Sequence, residues 1–109
     1  DRGALGYFGF SYYEENIDDL VALEVDGGNG CVAPSVESAQ DGSYTPLARP
    51  LFIYAKLSSF ERPEVEEFIR FTLENAETIA NEARFVPLSQ EQIDEQLAAF
   101  ERALAEVTG

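Results

Sequence analysis

The chain has 109 residues, enough for one small domain with a core of its own. Hydrophobic residues make up 45% of it and aromatics 12%, too apolar for a disordered acidic tail even at a formal net charge of -14. That charge comes from 21 Asp and Glu against 7 Lys and Arg, with Lys56 the one lysine, so no basic stripe exists for nucleic acid or an anionic membrane surface.

Apolar runs fall well short of the ~20 residues that a membrane helix needs, and no basic stretch followed by an apolar one marks a signal peptide. The chain opens at Asp1-Arg2 rather than at methionine, so an upstream part able to carry such a signal is expected. Cys31 stands alone, which excludes an internal disulfide and any multi-cysteine metal site. With no histidine in the chain and no basic residue near it in sequence, its thiol has no evident activating partner.

In chain order, Ala4 to Phe10 reads as a buried strand interrupted by Gly6 and Gly9. Ser11 and Glu14 have capping-box spacing, which predicts a helix over Tyr12 to Asp19 with Ile17 and Leu20 facing inward. Val21 to Val25 alternates as a second strand does. Asp26-Gly27-Gly28-Asn29-Gly30 is turn chemistry, because glycine and asparagine accept positive φ at little cost. A calcium loop is the alternative there, but the acidic spacing and the closing glutamate of a helix-loop-helix site are missing. Pro34 to Gln40 reads as a short helix capped by Ser35 and stopped at Asp41-Gly42.

Leu51 to Leu57 is the strongest strand signal, a nearly continuous apolar run after Pro50 that reads as a central strand. Pro63, followed by Glu64, Glu66 and Glu67, starts a helix whose positive end those acids suit. Val65, Phe68, Ile69 and Thr72 mark its inward face, and Ala76, Ile79, Ala80 and Ala83 continue the spacing past a break at Asn75. Phe85 to Leu88, with Pro87 inside it, is an edge strand or an extended connection. The last helix has a capping box in Ser89 and Gln92, a hydrophobic staple in Leu88 and Ile93, and an apolar stripe through Ile93, Leu97, Phe100, Leu104 and Val107. This order of strands and helices predicts an α/β class, with strands packed against helices and a long C-terminal helix.

Three segments carry a family resemblance. Gly3-Ala4-Leu5-Gly6-Tyr7-Phe8-Gly9-Phe10-Ser11-Tyr12-Tyr13 is similar to a Gly-Ala-Ile-Gly-Tyr segment followed by an aromatic and a helix. Tyr44-Thr45-Pro46-Leu47-Ala48-Arg49-Pro50-Leu51-Phe52-Ile53-Tyr54 resembles Tyr-Pro-Leu-x-Arg-Pro-Leu-x-Ile-Tyr, with Thr45 interrupting the Tyr-Pro pair. Pro63 to Leu88 resembles late helices that lead to a Val-Pro-Leu and a terminal helix. Together, and in this order, they resemble the C-terminal part of the phosphate-binding proteins of Pst-type ABC transporters, which have the two-lobed type II periplasmic binding-protein fold.

The resemblance implies two lobes closing on inorganic phosphate, held by oriented N–H dipoles rather than by net charge, and presenting it to an ABC transporter permease. It implies a periplasmic or extracellular location, in some forms lipid-anchored, and no cofactor. Residues 1–45 would belong to the second lobe and the crossover, and residues 46–109 to the first lobe. Tyr7, Tyr44 and Arg49 then become hinge or cleft-rim candidates, although aromatics and an arginine beside a strand also serve packing and ion pairs. The family's own phosphate contacts lie upstream of the matched part, so none is assigned to a residue of this chain, whose implied role is scaffold. Strands separated from their partners would leave apolar faces bare, and self-association would relieve them. Two other classes stay open: a free-standing acidic interaction module offering the stripe of the last helix, and an enzyme using a pair of carboxylates, although nothing singles out a pair.

Overall fold

The computed structural model describes residues 3–109. Its elements are α1 (Phe10–Glu15), β1 (Val25–Asp26), β2 (Cys31–Val32), α2 (Val36–Gln40), a 3₁₀ turn (Leu57–Glu61), α3 (Pro63–Glu74), α4 (Ala76–Glu82) and α5 (Gln90–Thr108). The chain divides into two units. The first holds the chain up to Arg49 together with Glu82–Val86, and the second holds Pro50–Asn81 together with Pro87–Gly109.

The second unit contains the main helical core. Pro63 is at the start of α3 with Glu64 and Glu66 in the first turn, where a missing N–H costs nothing and negative charge suits the helix dipole. The helix ends at Asn75, whose backbone N–H and side-chain amide both donate to the carbonyl of Phe71, at 3.0 and 2.9 Å. That is the expected break. At the start of α5 the Ser89 hydroxyl accepts from the Gln92 N–H at 3.3 Å, and the Gln92 side-chain oxygen accepts from the Ser89 N–H at 2.9 Å. This reciprocal cap satisfies two backbone donors that the first turn would otherwise leave open. Ser89→Ala removes one half of it and is expected to cost about 1 kcal/mol, lowering the melting temperature by roughly 4–8 °C in a thermal melt followed at 222 nm.

The stripe on α5 packs as its spacing predicts, with Ile93, Phe100 and Leu104 buried and Leu97 and Val107 half-buried. Its neighbours are α3 and the 3₁₀ turn, which also pack on each other. Phe60 meets Phe100 edge to face at 5.6 Å between ring centroids, and the Arg70 guanidinium lies 5.1 Å over the Phe100 ring. Arg70 also pairs with Glu66 at 3.0 Å and with Glu101 on α5. Hydrogen bonds from its guanidinium, first to Glu101 and then to Glu66, push the Arg70 pKa up, which keeps the cation in place. The expected inward face of α3 needs correcting at one position. Val65, Ile69 and Thr72 are half-buried, but Phe68 is exposed and Arg70 takes the place beside Phe100. In the continuation, Ala76 and Ala80 are half-buried while Ile79 and Ala83 are exposed.

The predicted strands are the larger correction. Among the described residues the one ladder is the antiparallel pair β1–β2, in which Val25 faces Val32 and Asp26 faces Cys31. Of the expected strand over Val21 to Val25 only Val25 is paired, and Ala4 to Phe10 and Leu51 to Leu57 join no sheet, so no helix packs on a sheet of them. The chain is a mixed structure of helices and one short hairpin. The physical reason is that a strand, unlike a helix, takes its hydrogen-bond partners from another segment, so an apolar run by itself fixes no ladder. Phe85 to Leu88 is the extended connection of the two expected forms.

In the first unit α1 is shorter than expected and differently capped. Gly9 precedes it with no side-chain cap, and the Ser11 hydroxyl donates instead to the Arg84 carbonyl at 2.9 Å. Asn16 ends the helix by donating from its side chain to the Tyr12 carbonyl at 2.9 Å, which leaves Ile17 exposed. By contrast α2 starts and stops as read, with Ser35 as its cap and Asp41 at its end.

Candidate functional site

Tyr7, Tyr44 and Arg49, the three candidate residues, all lie in the first unit. Their surroundings begin with the hairpin. Asp26 closes the turn between β1 and β2 by accepting the N–H groups of Gly28 and Gly30 on one carboxylate oxygen, at 2.8 and 3.1 Å. Gly28 and Gly30 both have positive φ, at 111° and 101°, which is why glycine is needed there. The turn uses its own carboxylate as a backbone clamp, and among the described residues no group of three or more acidic, cysteine or histidine side chains is placed to hold a metal ion. Cys31 is exposed at the end of the turn.

Gly27 carries the hairpin against the next segment. A Cβ at that position would fall 2.6 Å from the Thr45 side-chain methyl carbon and into the Thr45 carbonyl, so the two backbones approach too closely for any other residue. The segment it meets is the turn from Tyr44 to Ala48, in which the Ala48 N–H donates to the Tyr44 carbonyl at 2.7 Å and the Thr45–Pro46 peptide is cis. The turn is joined to α2 through the Tyr44 N–H, which donates to the Ser38 carbonyl at 3.0 Å.

Ser38 anchors that end of α2 and was not singled out in the sequence. Its hydroxyl is buried, donates to the Ala33 carbonyl at 2.9 Å and accepts from the Ser35 N–H at 2.9 Å, completing a capping box in which serine replaces the usual glutamate or glutamine. The Ser-x-x-Ser spacing was the signal that could have found it. Next to it, the Asp41 carboxyl accepts from the Ser43 N–H at 2.7 Å. Hydrogen bonds from Ser43, its hydroxyl first and its N–H second, hold that carboxyl below its ordinary pKa.

The three candidates are placed differently within this frame. Tyr44 is half-buried, with its backbone engaged on both sides. Arg49 is exposed at the boundary of the unit, and Tyr7 is 97% exposed in the extended lead into α1. Among the described residues no hydrogen bond, ion pair or ring contact joins the three side chains. The second unit offers no better receptor for an anion. The starts of α3 and α5 are occupied by Glu64 with Glu66 and by the Ser89–Gln92 cap, and a shallow groove beside Ile93 and Leu97 is lined by Glu74 and Glu77, whose charge repels an oxyanion.

No family model matches the chain, and no solved structure matches it. Curated proteins do. The chain is 49% identical over 89 residues to Protein SphX of Synechococcus elongatus, covering 81% of this chain and 26% of that protein. It is 46% identical over 92 residues to Protein SphX of a Synechocystis strain, covering 84% and 27%. It is 38% identical over 99 residues to the phosphate-binding protein PstS of Staphylococcus epidermidis, covering 89% and 30%. The chain spans about a quarter to three-tenths of the length of these relatives, and the PstS name describes binding rather than catalysis. Over most of its length, this chain is a homologue of part of the PstS phosphate-binding proteins and of SphX.

Proposed function

We propose that the chain is the C-terminal portion of an extracytoplasmic solute-binding protein that captures phosphate for an ABC transporter, and that this portion supplies scaffold rather than the main ligand contacts. The observation that carries the reading is the state of Leu51 to Tyr54. These four consecutive residues are 80%, 66%, 62% and 88% exposed. Successive side chains of an extended segment point to opposite faces, so both faces of this apolar run are bare. A strand from the middle of a parallel sheet, separated from its neighbours and its covering helices, has that pattern.

On this reading residues 46–109 return to the first lobe of a type II binding-protein fold, and residues 1–45 belong to the second lobe and the crossover. Tyr7, Tyr44 and Arg49 are then hinge or rim residues. The membrane permease is the partner, and the bare segments are the reason the isolated chain would self-associate. The location is periplasmic or extracellular, with a lipid anchor as one means of attachment. Among the described residues no helix is long and apolar enough to cross a membrane. The alternative of an acidic module presenting its last helix is disfavoured by the burial of Ile93, Phe100 and Leu104 inside the second unit, which uses up the stripe that a partner would read.

The test is calorimetric titration with inorganic phosphate of the 109-residue chain and of a form extended upstream to the length of its relatives. The expected result is binding by the extended form and no heat of binding from the 109 residues. Tight binding by the 109 residues themselves would overturn the scaffold role and make Arg49 the first residue to replace.

A further inference from the structure

Residues 82–86 belong to the first unit, while the residues on either side of them, Asn81 and Pro87, belong to the second. What fastens this short strap to the first unit is Arg84. Its carbonyl accepts the Ser11 hydroxyl at 2.9 Å, its guanidinium pairs with the Glu15 carboxylate, and the same guanidinium lies 5.6 Å over the Tyr12 ring. All three contacts fall on α1 or its first turn, about seventy residues earlier in the chain. Arg84 also has a φ of 59°, the one positive value outside glycine among the described residues. That is the left-handed region where glycine is the usual residue just past a helix end, so a glycine would be the easier choice for turning the chain after α4. A side chain with a task of its own accounts for an arginine there.

We propose that Arg84 is a latch that holds the 82–86 strap on α1, and that the strap can open without unfolding α3 and α5. The three contacts are of different kinds: a neutral hydrogen bond, an ion pair and a cation over an aromatic face. Each is modest for half-exposed groups, at side-chain exposures of 49% for Arg84 and 53% for Glu15, and together they hold a closed state that can still open.

Trypsin reads the latch directly. To cut Arg84–Phe85 the protease must take the guanidinium into its own specificity pocket, which requires Arg84 to leave Tyr12 and Glu15. Arg49 and Arg62 precede prolines and resist the enzyme, while Lys56 is exposed and serves as the internal reference. The experiment is brief native-state trypsinolysis of the 109-residue chain, in which Lys56 is exposed, with fragments weighed by mass spectrometry, for the wild type, Ser11→Ala, Tyr12→Leu and Glu15→Gln. In the wild type, cutting at Arg84 is expected to lag cutting at Lys56. In each variant the Arg84-to-Lys56 ratio is expected to rise, by roughly two- to fivefold for Glu15→Gln, because cleavage follows the population of the open form when opening is fast. Amide exchange in α2, elsewhere in the same unit, is expected to stay at the wild-type rate. An Arg84 bond cut as fast as Lys56 in the wild type, or a ratio unchanged in all three variants, would overturn the latch. So would α2 exchange rising in step, since that means the whole unit opens. No step of the readout involves phosphate, so failure of the latch and failure of the binding-protein reading are separate results.

Discussion

Phe100→Ala is expected to abolish most of the helical signal of the isolated chain at 25 °C. Phe100 is one of three buried apolar side chains among the described residues, and it alone contacts both the Phe60 ring and the Arg70 guanidinium. Truncating a buried phenylalanine costs about 3–5 kcal/mol, and the edge-to-face pair adds about 0.5–1.5 kcal/mol beyond its area. Stability of about 0.05–0.15 kcal/mol per residue gives a unit this small little reserve against such a loss. Arg70 would also lose the ring beneath it, and of its own contacts only the ion pair with Glu101 would then reach from α3 to α5, since Glu66 lies on α3 itself. The control is Phe71→Ala on the exposed side of α3, where the effect on the isolated chain should stay within about 0.5 kcal/mol. Urea titrations followed at 222 nm measure both, and equal midpoints for the two variants would remove Phe100 from the centre of the core.

The second large effect depends on context. Ile53→Ala should be nearly neutral in the isolated chain, because Ile53 is 62% exposed and has little burial to lose. In a form extended to the length of its relatives, the same substitution is expected to cost about 2–5 kcal/mol, the range for truncating a fully buried isoleucine. The difference arises because the proposed neighbours of the Leu51 to Leu57 run lie in the rest of the longer protein. Chemical denaturation of both forms with and without the substitution gives the four midpoints needed. Equal small effects in both forms would mean that Ile53 stays at the surface of the longer protein too.

The sequence was readable where its signals were local. The caps at Ser35 and Ser89, the start at Pro63, the break at Asn75 and the stripe on α5 each depend on residues a few positions apart, and each appears in the structure. Features decided by distant segments were not readable in the same way. Ser11 has the spacing of a helix cap, yet its hydroxyl serves the carbonyl of Arg84, a residue that no local pattern pairs with it. The apolar runs at Ala4 to Phe10 and Leu51 to Leu57 have strand composition, but composition supplies no second strand. Phe68 fits the inward spacing of α3, yet the pairing of Arg70 with both Glu66 and Glu101 brings the arginine over Phe100 instead. The Glu66–Arg70 half of that cluster has i, i+4 spacing, a signal not singled out above, whereas the Glu101 half needed the packing of α3 on α5. Tyr7, Tyr44 and Arg49 came from the family resemblance, not from any chemical pattern of their own, and no contact in the structure draws their side chains together.

On the proposed reading, the strand-like runs of this chain have their partners in the rest of a longer protein. Amide hydrogen exchange across residues 51–57 tests it most directly, measured in the isolated 109-residue chain and in the form extended to the length of its relatives. Amides without a ladder exchange at close to the unstructured rate, whereas those of a core strand open only with sub-global or global unfolding. Fast exchange of this segment is expected in the isolated chain, and protection of about a thousandfold or more in the extended form, as a core strand in a protein of ordinary stability requires. Exchange equally fast in both forms would contradict that reading, because the segment would then be a surface connection in the whole protein as well.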